Sequence, residues 1–308
     1  MDPILKKKSF AQRWKSRFNE KIGYLFISPS LILLLLFVMT PLVFSLYLSF
    51  TNWNSPSFQK AEFIGLKNYA FMIGDKRFWN ALKNTVYYAV MYVPLNMAVS
   101  LLIALALNKS SRGITFLRSL FFMPVITSWV AVSVVWITIL DPNAGILNYF
   151  LGVIGLPPVN WLGDPKTAMI AIVMIAIWKG AGFSMVIWLA GLKAIPVTLY
   201  EAALLDGADG WKSTFHITLP LLAPTTFFLT ITGVIGSFQV FSPVYVITKG
   251  GPLDSTDVVV FRIFQRAFQE FKMGYASAQS WLLFAIIFGF TILQYVNNKR
   301  RGGDSTLF

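Results

Sequence analysis

The chain has no cysteine and a single histidine, His216, among its 308 residues. The first absence excludes a disulfide framework, a thiolate nucleophile and a cysteine-held metal. The second closes off a histidine-based metal centre. Charge is also scarce: 13% of residues are charged against 56% hydrophobic, far too few for the surface of a soluble domain of this length. No G-x-x-x-x-G-K-[ST] occurs, so no P-loop cradles nucleotide phosphates. No H-E-x-x-H and no G-x-S-x-G occurs either. Energised work by this chain must therefore draw on another subunit or on an ion gradient. The net charge of +13 does not point to nucleic acid, because the excess follows membrane topology.

What is abundant is apolar length. Runs of about 20 residues recur, each long enough to cross a hydrocarbon core about 30 Å thick. Six spans are expected, near 22–50, 84–107, 116–140, 167–192, 219–247 and 276–297. The fold class is an all-α integral membrane protein, since a transmembrane barrel would show short alternating segments. Pro29 and Pro41 are candidate kink points in the long first span. With the N-terminus inside, the inner segments hold fifteen Lys and Arg and the outer ones ten. That bias sets both termini in the cytoplasm. Residues 1–21 form a basic segment in which Phe10, Trp14 and Phe18 share a helical face, suited to an interfacial helix or equally to a loose tail. Residues 22–298 form the transmembrane domain, and 299–308 a cytoplasmic tail. The outer loops, near 51–83, 141–166 and 248–275, are too short to be domains.

The stretch EAALLDGADGWKSTFHITLP, Glu201 to Pro220, interrupts the apolar pattern. On this topology it lies inside, within the loop 193–219. Pro196 suits the first turn of a helix. A short helix is expected from Val197 to Asp206, with Gly207 as its end. A second is expected from Asp209 to Phe215, and Leu219-Pro220 starts the next span. Small Ala202 and Ala203 allow close approach of another surface, and Glu201 can accept charge-assisted hydrogen bonds. By composition alone the stretch reads as a solvated connector.

The spacing E-A-A-x3-G-x9-I-x-L-P is met by Glu201, Ala202, Ala203, Gly207, Ile217, Leu219 and Pro220. It resembles the EAA loop of binding-protein-dependent ABC importer permeases. PLVFSLYLSFTNW, FIGLKNY, NTVYYAV, LAGLKAIP, TKGGPLDST and GYASA resemble the sugar-permease branch, so the likeness runs along nearly the whole chain. It implies a compact six-span type I importer fold in the cytoplasmic membrane. It also implies partners: a second permease, two ATPase subunits that bind ATP and Mg, an external solute-binding protein and a carbohydrate. Glu201, Ala202, Ala203, Asp206 and Gly207 become the ATPase-docking residues. No cofactor or metal of its own, no catalytic residue and no nucleic acid are expected. A stand-alone secondary transporter and a membrane enzyme are the rival readings.

For a substrate pathway, Lys179 stands out, because a charge within a span costs roughly 2.5–3.5 kcal/mol on insertion scales. Gly180 and Phe183 share its face. Snorkelling or a carbonyl partner is the structural alternative. In the fifth span Thr226, Thr230, Gly233 and Ser237 fall on one side of a helix, which serves packing or a path. Tyr88, Tyr92 and Asn96 give the second span a weaker polar face. Under the resemblance, Lys179, Gly180, Phe183, Gly233 and Ser237 occupy the sugar-contacting neighbourhood, with a neutral or weakly anionic oligosaccharide as first choice.

Overall fold

The computed structural model describes residues 24–54, 61–109 and 111–300. The aromatic face of Phe10, Trp14 and Phe18 lies outside them. Among the described residues the architecture is helical, with two isolated β-bridges. Four helices are long and apolar enough to cross a membrane: α1 (Tyr24–Ser49), α3 (Lys76–Leu107), α7 (Ala168–Ala194) and α13 (Met273–Arg300). Two further spans are bent pairs, which brings the total to six. The short helix α2 (Lys67–Gly74) precedes α3. In the third span α4 (Arg112–Ile126) turns by 99° into α5 (Trp129–Ile139). A small helix, α6 (Ile146–Val153), follows.

Several expected boundaries change for identifiable reasons. The third span is broken at Thr127-Ser128 rather than running straight from 116 to 140. The fifth does not start at Leu219. Helix α9 (Gly210–Leu221) follows α8 (Val197–Leu205) in the loop 193–219 and carries Pro220 near its end. The chain then bends by 64° at Leu222 into α10 (Ala223–Phe238), where Pro224 takes the first turn. The expected second short helix thus reaches Leu221 rather than Phe215. Beyond Phe238 the span gives way to a π-helical turn, α11 (Val244–Thr248), introduced by Pro243. In α1, Pro41 does not break the helix. A π-helical turn at Leu35–Met39 widens the preceding backbone, and the Thr40 hydroxyl donates to the Leu35 carbonyl at 2.8 Å.

The expected outer loops carry structure of their own. α12 (Val259–Phe264) runs on into a π-helical turn, Gln265–Gln269. The quoted sequence motifs hold this end together. Asn68 of FIGLKNY donates to the carbonyls of Ser49 and Thr51 at 2.8 and 3.0 Å. Asn84 of NTVYYAV donates to the carbonyls of Asp254 and Asp257 at 2.8 and 2.9 Å. The Val259 amide donates to the Thr85 hydroxyl at 3.0 Å. Gly274 of GYASA sits where a Cβ would lie 2.1 Å from the Thr51 carbonyl, so only glycine allows that approach. α7 is the central helix, packed on α3, α4 and α10, with fifteen buried residues.

Ion pairs lock the end that carries the loop 248–275. Arg262 and Asp257 pair while almost fully buried. Arg266 pairs with Asp75 at 3.3 Å, and the Tyr275 hydroxyl donates to the same carboxylate at 2.7 Å. Burial pushes the Asp257 carboxyl up to about 6, against the pull of Arg262. The folded state therefore holds this proton more tightly than the unfolded chain, whose value is 3.8. Stability from Asp257 is present below the unfolded value and declines as pH rises toward 6. Asp75 behaves oppositely: burial raises it, but Tyr275, backbone amides and Arg266 hold it below 3.8, so its contribution is lost only in stronger acid. In detergent, thermal stability is expected to fall between about pH 4 and 6, and Asp257→Asn is expected to flatten that slope.

Candidate functional site

Two regions carry the chemistry. The first is a cavity of about 410 Å³ enclosed by α3, α7, α10 and the break in the third span. Tyr88, Tyr92 and Asn96 reach it from successive turns of α3. Tyr88 and Tyr92 stack with ring centroids 5.5 Å apart. Gly180 faces them from α7, and a Cβ there would come within 2.4 Å of the Tyr92 hydroxyl, so the missing side chain makes room for the phenol. The buried Asn96 donates to the Ser184 hydroxyl at 2.9 Å, while its Oδ1 is buried without a hydrogen-bond partner.

Of the expected pathway residues, Tyr88, Asn96, Lys179, Gly180, Phe183 and Gly233 line this one space. Thr230 and Ser237 do not. Their hydroxyls donate to the carbonyls of Thr226 and Gly233, both at 2.7 Å, one turn back on their own helix. This is the usual fate of a hydroxyl with no water to bond. The face of α10 that does reach the cavity runs through Leu229, Thr232, Gly233 and Gly236, continuing at Gln239 and Ser242 beyond the helix end. The paired glycines Gly233 and Gly236 were the available signal for that face.

Lys179 is 6% exposed, and its ammonium is fully engaged. It donates to the carbonyls of Pro124, Val125 and Thr127 at 2.8, 3.2 and 2.6 Å. These carbonyls belong to the last turn of α4, which contains Pro124, and to the extended Thr127 that stops the helix. Three donors meet three acceptors, and a cation sits at the negative end of a helix dipole. The Trp129 ring lies 5.2 Å from the ammonium. The carbonyl-pairing alternative describes this side chain, although its stem still forms part of the cavity wall.

The second region is the loop 193–219. α8 ends in a Schellman arrangement: the Gly207 amide donates to the Leu204 carbonyl at 3.1 Å, and the Ala208 amide to Ala203 at 2.8 Å. Gly207 has φ +71°, the left-handed conformation this cap requires. The Tyr200 and Thr218 hydroxyls are 3.0 Å apart and tie the two arms of the loop. Glu201, Ala202, Asp206 and Gly207 are exposed, whereas Ala203 is turned inward and offers no surface. Sequence reasoning missed the apolar character of the outward face: Leu205 is 90% exposed, Trp211 69% and Phe215 58%, the last two stacked 6.0 Å apart. Exposed apolar groups of this size mark a surface that another body covers. Among the described residues no cluster of potential metal ligands occurs.

Comparison with known proteins places these features. The model of the family described as "Binding-protein-dependent transport system inner membrane component" matches residues 71–302. YesP of Bacillus subtilis (strain 168), a probable ABC transporter permease protein, is 40% identical over 284 residues, covering 91% of each chain. MalF of Thermococcus litoralis, a trehalose/maltose transport system permease protein, is 34% identical over 280 residues, covering 91% of this chain and 94% of its own. The crystal structure of a bacterial ABC transporter involved in the import of the acidic polysaccharide alginate contains a similar chain. It superposes with a TM-score of 0.82 at 25% identity, covering 93% of this chain and 98% of that one.

Proposed function

Since the chain belongs to the family of inner membrane components of binding-protein-dependent transport systems, we propose that it is one of two permease subunits of an ATP-driven carbohydrate importer. An oligosaccharide is the favoured cargo, in keeping with the sugars named for MalF of Thermococcus litoralis and for the alginate transporter. The observation that carries this reading is the inner loop. A chain without nucleotide chemistry presents a glycine-capped helical platform whose outer face is apolar and exposed.

In this reading Glu201, Ala202, Asp206 and Gly207, with Leu205, Trp211 and Phe215, meet a groove of an ATPase subunit. ATP and Mg reside in that subunit, and both termini of this chain lie on the same cytoplasmic side. An external solute-binding protein delivers the cargo. Closure of the ATPases displaces α8 and α9, and the 64° junction at Leu222 passes that displacement into α10. α10 forms one wall of the cavity, so the movement alters access to it. The cavity serves as this subunit's part of the path, with residues 22–298 as the transport domain. A second permease supplies the remainder.

Co-expression of the four partners should yield a complex that imports carbohydrate into proteoliposomes only with ATP and the binding protein. Uptake by this chain alone would sink the proposal in favour of a secondary transporter. Within the complex, Leu205→Asp places a charge in an apolar contact and is expected to lower retention of the ATPase subunit on affinity purification by about tenfold. Full retention would remove Leu205 from the interface.

A further inference from the structure

We infer that the wall contributed by this chain selects an uncharged cargo, and that Asn96 rather than Lys179 is its recognition group. The inference rests on the carbohydrate reading and narrows it. Lys179 is the one charged side chain among the described residues that line the cavity. A carboxylate or phosphate entering there would look to it for a counter-charge. Its protons are already given to the carbonyls of Pro124, Val125 and Thr127, and the ammonium lies at the helix break rather than in the open space. Freeing it for an anion would strip three carbonyls of their shared donor, which an incoming anion does nothing to replace. An anion left unpaired in this setting pays far more than an uncharged hydroxyl does.

What remains suits a sugar ring. Tyr88 and Tyr92 stack into an aromatic wall, which carbohydrate C–H faces pack against. Asn96 Oδ1 is buried without a partner on the same helix, one turn beyond Tyr92. A buried acceptor left unsatisfied is costly, and a ligand hydroxyl that donates to it recovers that cost. Ser184 holds the other end of the amide at 2.9 Å and fixes its orientation. The arrangement is a neutral acceptor beside aromatic faces, in a largely apolar pocket whose other polar groups apart from Lys179, among them Thr232, Gln239 and Ser242, are also uncharged.

The test uses the complete complex in nanodiscs without the binding protein, so that the permeases' own preference is read. Equilibrium binding is measured for neutral trisaccharides of glucose and xylose, for trigalacturonate and for glycerol 3-phosphate. A neutral trisaccharide is expected to bind at least about tenfold more tightly than either anion, a ratio worth about 1.4 kcal/mol. Its affinity should stay constant between 0.05 and 0.5 M salt, where pairing with an accessible cation would weaken. Asn96→Leu should reduce binding of the neutral probe about tenfold, and Asn96→Gln should recover part of it. Preference for either anion overturns the inference, and so does unchanged binding in Asn96→Leu. The selectivity of the wild-type complex decides the matter even where a variant fails to assemble. Import of a non-carbohydrate by the wild-type complex would instead defeat the reading beneath it.

Discussion

Gly207→Val is expected to abolish coupled uptake while leaving the chain in the membrane. The residue sits at φ +71°, where a β-branched side chain is strained. The left-handed conformation costs a non-glycine residue roughly 1–2 kcal/mol. The two cap bonds, Gly207 to Leu204 and Ala208 to Ala203, depend on that conformation, and they fix the angle between α8 and α9. The strain is small beside the insertion energy of six spans, so the chain still inserts. It is large beside what positions an exposed loop, so the platform changes shape. Three readouts separate these effects. Membrane fractionation should show normal insertion, uptake should fall at least about tenfold, and ATP hydrolysis should lose its dependence on the binding protein. Gly207→Asn should be milder, since asparagine tolerates the left-handed region. Glu201→Ala, which removes an exposed charge and leaves the cap intact, should weaken coupling less than Gly207→Val does. Normal coupled uptake in Gly207→Val would show that the loop transmits nothing.

The spans were legible because apolar length is a coarse signal that survives ignorance of neighbours. The breaks were harder to read, although their causes are local. α4 stops at Ile126, where Thr127 turns extended, in a run that remains apolar through Ile139, so hydropathy sees one span where the backbone turns by 99°. The junction at Leu222 is hidden because the apolar stretch Leu219–Leu222 runs without a gap into α10. On α10, hydroxyl spacing suggested a polar face through Thr226, Thr230 and Ser237, but these groups bond their own helix. The side of that helix that reaches the cavity runs instead through Leu229, Thr232, Gly233 and Gly236. In the loop 193–219 the motif spacing pointed to Gly207, and the chain does bend there, at φ +71°. Ala203 was misread because its burial depends on the fold of α8 against the spans, which sequence spacing does not reveal.

Lys179→Met should be among the most damaging single changes in the chain, and its signature should be structural. Methionine matches the length of the lysine stem but donates nothing. The carbonyls of Pro124, Val125 and Thr127 then lose their shared donor at the break between α4 and α5. At about 1–3 kcal/mol for each unsatisfied group, the loss amounts to several kcal/mol at one junction. α4 would no longer be held where it meets α7, near Gly182, whose missing Cβ lets the Phe121 carbonyl approach. The expected result is a fall of several degrees in the melting temperature of the purified complex and loss of uptake. Lys179→Arg keeps the charge and the donors on a bulkier head, so it should recover part of both. A residue that served only to bind cargo would behave differently: Lys179→Met would then leave the melting temperature unchanged and raise the half-saturation concentration alone. Because the ammonium spans from α7 to the break while its stem lines the cavity, this lysine joins the shape of the third span to the space beside it. Any movement that straightens the break must first release it.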